Sequence, residues 1–228
     1  MTTCLTPKWI HFFNELKANN SKTWFDANKN RYEEIKSEFT QFMSEFLQRI
    51  QSFDDILPVE PKKTIFRIYR DVRFSKDKTP YKTHIAAVID RGQKWQNKCG
   101  FYIHIEPGNV FVGGGAWEPN KESLKAIRQE IDYNGDELLG IVNTPEFIET
   151  FGSMGGDKLK KAPKDYDPNH THIEFLKHKQ FLISRKFSDK DAQQPDFLDQ
   201  LVQTYQRSIP FFNYFDVVFR EVEERIGT

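Results

Sequence analysis

The chain has 228 residues, and its 33 lysines and arginines are balanced by 33 aspartates and glutamates. That length suits one large domain or two small ones, of which one is the economical reading, and the balance excludes a global field that would gather nucleic acid or an anionic membrane. Two cysteines, Cys4 and Cys99, in no metal or redox spacing, exclude a disulfide framework and point to a reduced, cytoplasmic protein.

The opening residues MTTCLTPKWIHFF carry no basic leader followed by an apolar stretch, so no secretory signal is expected. No apolar run approaches the length of a membrane span. A chain of this size buries roughly 70–75% of its unfolded surface, enough for a core without staples. Its 21 phenylalanines predict that this core is strongly aromatic.

In chain order, helices come first, over 5–51. Thr6 and Pro7 form an N-cap and first-turn pair, and Ile10, Phe13 and Leu16 mark one face. The NNSK stretch breaks this helix. Thr23 with Asp26 resembles a capping box for the next one. Phe25, Tyr32, Ile35, Phe39, Phe42, Phe46 and Ile50 then keep helical spacing for about seven turns. The segment PVEPKK ends the helical region. Runs at 65–71, 83–90, 99–106 and 109–115, rich in β-branched and aromatic residues, predict an antiparallel meander over 65–115, its last two strands joined through EPGNV.

Asn120 is placed to cap a helix running to about Tyr133, with Leu124, Ile127, Arg128 and Ile131 on one side and a stop at Asn134-Gly135. Short helices at 136–142 and after Thr144-Pro145 complete a helical block over 120–151. Residues 152–172 read as a loop that glycines at 152, 155 and 156 would let move. Residues 180–187 read as a strand, and helices from Pro195 and Pro210 fill 195–226. The predicted fold is a single α+β domain, an antiparallel β meander packed against N-terminal and C-terminal helices.

The stretch FRIYRDVRFSKDKTPYK, residues 66–82, raises the functional question. If 66–71 is extended, Phe66, Ile68 and Arg70 share one face and Arg67, Tyr69 and Asp71 the other. Arg70 then points to the core side and needs a partner, because an unpaired buried charge costs roughly 3–5 kcal/mol. Arg73, Lys76, Lys78 and Lys82 crowd the same loop, and guanidinium groups suit phosphate or carboxylate. The alternative is an internal ion-pair lattice in which Asp71 and Asp77 satisfy these cations. Gly113, Gly114 and Gly115, at a strand end before a helix, would let backbone N–H groups approach a ligand; a bulge or tight turn is the structural alternative. Neither GxGxxG nor GxxxxGK[ST] occurs. Tyr81 and Trp117 would wall the pocket. Arg128 would complete it or pair structurally with Glu106 or Glu118. Lys158, Lys160, Lys161 and Lys164 would close over it or lie in solvent.

His170, His172 and His178 invite a metal, yet neither Asp167 nor Glu174 completes a recognised ligand spacing. The sequence therefore yields no metal site, and a cap or loop-anchoring role is the reading for His170. There is no GxSxG motif, Ser75 has no evident base partner, and Cys99 reads as core.

The run RDVRFSKDKTPYK, followed by GFYIHIEP, GGGAWEP and the IRQEI helix, resembles a bacterial family known as domain of unknown function 2461, over nearly the whole chain. The pattern falls on Arg70, Asp71, Arg73, Phe74, Asp77, Lys78, Pro80, Tyr81 and Lys82, and continues onto Tyr102, Pro107, Gly115, Pro119 and Arg128. Where this chain has Trp117 the family more often shows another aromatic, so no indole-specific chemistry is expected. The resemblance implies a one-domain α+β protein and implies no activity. The expected function is thus binding of an oxyanion-bearing small molecule by Arg70, Arg73, Lys78 and Lys82, in an enzyme or a binder whose cofactor and catalytic residues the sequence leaves open. The rivals are a nucleic-acid or protein-binding module using the basic loops, which the chain's neutrality argues against for nucleic acid, and an ion-pair network without ligand.

Overall fold

The computed structural model describes residues 3–56, 58–91 and 99–226. Among them, helices and strands follow in the order α1 (Pro7–Ala18), α2 (Lys22–Ile50), α3 (Pro61–Thr64), β1 (Ile85–Asp90), β2 (Gly100–Ile105), β3 (Val110–Ala116), α4 (Lys121–Val142), α5 (Pro145–Phe151), α6 (Ile173–Leu176), β4 (Phe181–Phe187), α7 (Asp189–Ala192) and α8 (Phe197–Ile226). The strands form one antiparallel sheet in the order β1-β2-β3-β4, so the class is α+β. No described helix is long and apolar enough to cross a membrane.

The chain divides into two compact units, each drawn from three segments. The first comprises residues 1–89, 102–112 and 186–203; the second comprises 90–101, 113–185 and 204–228.

In the first unit the aromatic stripe packs as its spacing predicts. Trp9 meets Phe39 edge-on at 5.4 Å and Phe12 meets Tyr32 at 6.0 Å, an order that sets α1 antiparallel to α2. Trp9, Phe12, Phe39, Phe42 and Phe46 are fully buried, each contributing about 2–3 kcal/mol of apolar transfer. The Trp9 indole N–H is satisfied by Glu38 at 2.9 Å. The cap of α2 falls two residues earlier than the expected Thr23: Ser21 accepts from the Trp24 N–H.

The expected strand at 65–71 forms only two isolated antiparallel bridges, Ile65 with Ala87 and Tyr69 with Tyr81. Two local causes are visible. Residues 70 and 80 lie opposite each other, but only Arg70 N–H donates, to Pro80 O at 2.9 Å, because Pro80 has no N–H to return. The two bridges also differ in register by two residues, so the stretch from 81 to 87 must bulge between them, and the chain bends at Thr83 and His84. The alternation itself holds: Ile68 is buried and Tyr69 exposed.

In the second unit two expected breaks turn out to be internal. α4, capped by Asn120 through the Ser123 N–H at 2.8 Å, does not stop at Asn134-Gly135. It kinks at Asn134 (φ −125°, ψ 27°) and continues, burying Leu138 beyond the kink. Gly135 is required there, since a Cβ would lie 2.4 Å from the His172 ring. Pro210 starts no helix; it sits inside α8. The lost hydrogen bond and the clash cost about 3 kcal/mol, offset by burial of Phe211, Phe212 and Phe215 immediately after it. Residues 180–187 do return as the edge strand β4. Cys99 is core, as expected.

Candidate functional site

The basic loop is largely satisfied from within. Arg70 donates to Asp77 at 2.6 Å and to the Thr79 carbonyl at 3.1 Å, and also contacts the Thr79 hydroxyl. Arg73 grips Asp71 with Nη2 at 2.7 Å and Nε at 3.0 Å. The Thr79 N–H and then the Arg70 guanidinium hold the Asp77 carboxyl below its ordinary range, and Arg73 does the same for Asp71. Lys78 donates to the Val72 carbonyl at 2.8 Å. The loop is an ion-paired turn, with Phe74 at its tip 95% exposed.

The remaining predicted residues do not gather around these cations. Tyr81 is buried and stacks on Phe25 with ring centroids 4.1 Å apart, so it anchors the loop to the core and offers no pocket wall. Gly113, Gly114 and Gly115 lie within β3, where an added Cβ would come within about 2 Å of carbonyl oxygens of Ile183, Gly100 and Phe181. Their smallness lets strand backbones approach each other and leaves no gap for a ligand. Trp117 is exposed. Arg128 donates to the carbonyls of Leu176 (3.0 Å) and His178 (3.3 Å), satisfying the end of α6; neither Glu106 nor Glu118 is its partner.

The expected lid is tethered, through the bridges Gly155–Leu182 and Lys158–His178 and an ion pair between Lys158 and Glu174 at 3.3 Å. Lys160, Lys161 and Lys164 lie in solvent. The three histidines considered for a metal hold separate partners: His170 Nε2 meets Asp132 at 3.0 Å, His172 Nε2 meets Asp136 at 3.2 Å, and His178 Nδ1 donates to the Gln180 carbonyl at 3.0 Å. His170 Nδ1 also accepts from the His172 N–H at 3.0 Å.

One predicted cation does adjoin a polar cluster. Lys82 sits at the bulge before β1, half-buried, its ammonium 5.1 Å from the centre of the Phe66 ring. Burial, then Arg67, lowers its pKa. Next to it in sequence, Thr83 donates to Glu106 Oε1 at 2.6 Å, and the His84 ring lies 4.3 Å from that of His104. The strand period explains the other side. Phe101, Ile103 and Ile105 face the core, so Tyr102, His104 and Glu106 share the opposite face. His104 Nδ1 lies 3.0 Å from the Tyr102 hydroxyl and its Nε2 3.4 Å from Glu106 Oε2. Phe111 of β3 covers the His104 ring, stacked at 4.7 Å.

The electrostatics follow from this packing. Burial, with the neighbouring His104 adding, pushes His84 down to about 4. Burial also lowers His104, against the opposing pull of Glu106. For Glu106 burial pushes upward, but hydrogen bonds from Thr83, His104 and Asn109 bring the carboxyl below its ordinary value. At neutral pH the cluster therefore holds two neutral imidazoles and one carboxylate. An ionised Glu106 only accepts, so His104 Nε2 carries the proton and Nδ1 accepts from Tyr102. Sequence reasoning missed these residues; its one visible signal was Tyr102-x-His104-x-Glu106 at strand spacing.

The model of the conserved hypothetical protein family DUF2461 matches residues 8–214. The chain belongs to that family. No curated protein and no solved structure matches the chain. Membership in DUF2461 thus fixes kinship without naming a reaction, and the chemistry rests on the residues themselves.

Proposed function

We propose that the protein is a cytosolic binder of a small oxyanion-bearing molecule, a phosphate or a carboxylate, held at Lys82. The supporting observation is the state of that ammonium: half-buried, spread over Phe66, beside Arg67, and paired with no carboxylate among the described residues. A partly desolvated cation without a counter-ion is costly, and a ligand oxyanion removes that cost. The chemistry such a group offers in an enzyme is stabilisation of developing negative charge. Arg70 and Arg73 already carry carboxylates and take no part.

A thermal-shift screen with inorganic phosphate, nucleotides, sugar phosphates and dicarboxylates tests this. Ligand at 100 times its Kd adds about 2.7 kcal/mol of stability. Lys82→Ala abolishes the response and Arg73→Ala keeps it; a response indifferent to Lys82→Ala refutes the assignment. A second reading, a macromolecule-binding face, draws on Phe74, exposed beside the Arg73 guanidinium at 5.9 Å. Polyanion binding there falls steeply between low and physiological salt, whereas binding at a partly desolvated lysine falls less.

A further inference from the structure

His84, His104 and Glu106 each bring one ligand-type atom into a common cluster, with no pair of these atoms more than 4.8 Å apart. We propose that these three side chains bind one divalent first-row transition-metal ion, leaving at least one coordination position open. This goes beyond the anion reading and stands on different residues.

Bond lengths support it. Metal–nitrogen and metal–oxygen distances near 2.0–2.2 Å put two ligands of a tetrahedral ion about 3.4 Å apart. His104 Nε2 and Glu106 Oε2 are already 3.4 Å apart. Drawing His84 in takes a shift of the order of 1 Å, and its ring is held by no hydrogen bond to a described residue.

The outer partners have the arrangement a metal site needs. A ligating imidazole uses one nitrogen for the ion and donates the other N–H to a neighbour that fixes its orientation. Tyr102 stands at His104 Nδ1 for this purpose; with an ion on Nε2 the ring proton moves to Nδ1 and is donated to the Tyr102 oxygen. Thr83 occupies Glu106 Oε1 and leaves Oε2 facing His104. Neutral imidazoles are the ligating form. Two imidazoles with one carboxylate select transition ions over magnesium or calcium, and three protein ligands leave room for water or a ligand oxygen. The bulge between Tyr81 and Ala87 is what turns Thr83 and His84 toward β2. Bulges commonly re-aim side chains next to sites of chemistry.

The probe is Co2+, added to the full chain after treatment with chelator, followed by visible absorption and calorimetry. The expected result is one Co2+ per chain with ligand-field bands, displaced by Zn2+, and a rise in melting temperature. His104→Ala and Glu106→Gln each weaken binding by 100-fold or more. His84→Gln, a milder change, preserves the fold if an alanine variant does not, and weakens binding similarly. Tyr102→Phe weakens it about 10-fold with the bands retained, as a positioning residue does. His178→Ala, in the second unit, leaves binding unchanged. Absence of stoichiometric Co2+ or Zn2+ binding to the folded chain overturns the proposal, as does binding that survives both Glu106→Gln and His84→Gln. Phosphate response of the metal-free protein tests the Lys82 assignment separately, so the two failures are distinguishable.

Discussion

The loop from Arg70 to Lys78 and the cluster that follows at His84 are separated by only a few residues, yet they solve opposite problems. The loop is dense in charge and locally closed. Arg70 finds Asp77, Arg73 finds Asp71, and Lys78 finds a backbone carbonyl, all within nine positions of sequence. The cluster has little charge and draws its members from separate stretches: Thr83 and His84 from a bulge, Tyr102, His104 and Glu106 from one face of β2. Density of charge is a poor guide to a site, because near neighbours of opposite sign neutralise each other. Convergence from distant segments is the better one, because the chain must give up local satisfaction to achieve it.

Tyr81→Ala tests the loop's side of the contrast with the largest expected effect. The ring is buried against Phe25 at the base of the loop, and its removal costs about 3–5 kcal/mol, the range for deleting a buried aromatic side chain. Urea unfolding measures it. A loss near zero would mean that the ring walls a hydrated hollow instead of anchoring the turn.

A histidine outside both regions provides a reference for what burial beside a cation does. Burial, with Lys158 adding, lowers His178 to about 4 from 6.5. The unfolded chain therefore takes up the proton first on acidification. The stability held at and above pH 6.5 is lost progressively as pH falls toward about 4. His178→Gln makes that acid limb shallower in denaturation curves recorded across this window. If the limb is unchanged, His178 is already protonated in the folded protein.

Much of this molecule was legible because its signals are local. The aromatic stripe of α2, the Asn120 cap, the strand at 180–187 and the inward turn of Ile68 each depend on spacing within a few residues. Asp71 and Asp77 as partners for the loop were also visible, as one of two readings. The misses share a physical cause. The continuation of α8 through Pro210 depends on Phe211, Phe212 and Phe215 being buried by tertiary packing, which overrides the local break. Gly113 to Gly115 looked like a ligand cradle because the sequence does not show which backbone comes close; it is that of neighbouring strands. The register shift opposite 65–69, which aims Thr83 and His84, exists only once two segments pair. His84 thus lies 20 residues from His104 with no motif to join them.

Arg70→Ala comes next in size. Its side chain is 27% exposed and bonds both Asp77 and Thr79, so its loss lowers stability by about 1 kcal/mol, the usual net worth of a hydrogen bond, here shared with solvent. Asp77→Asn in the same background adds little further loss, since the two act as one unit. Additive losses in that cycle would show that Asp77 and Arg70 serve different partners.

Arg73→Ala should do the least, and for that reason it separates the two kinds of region most sharply. Both Arg73 and Asp71 are open to water, and a pair that solvent can reach gains little in Coulomb energy while costing side-chain entropy. The melting temperature, metal binding and phosphate response should all stay within error of the parent protein. A loss of phosphate response with the fold intact would mean that Asp71 releases this guanidinium to a ligand. The loop, not the bulge at Lys82, would then be where the anion sits.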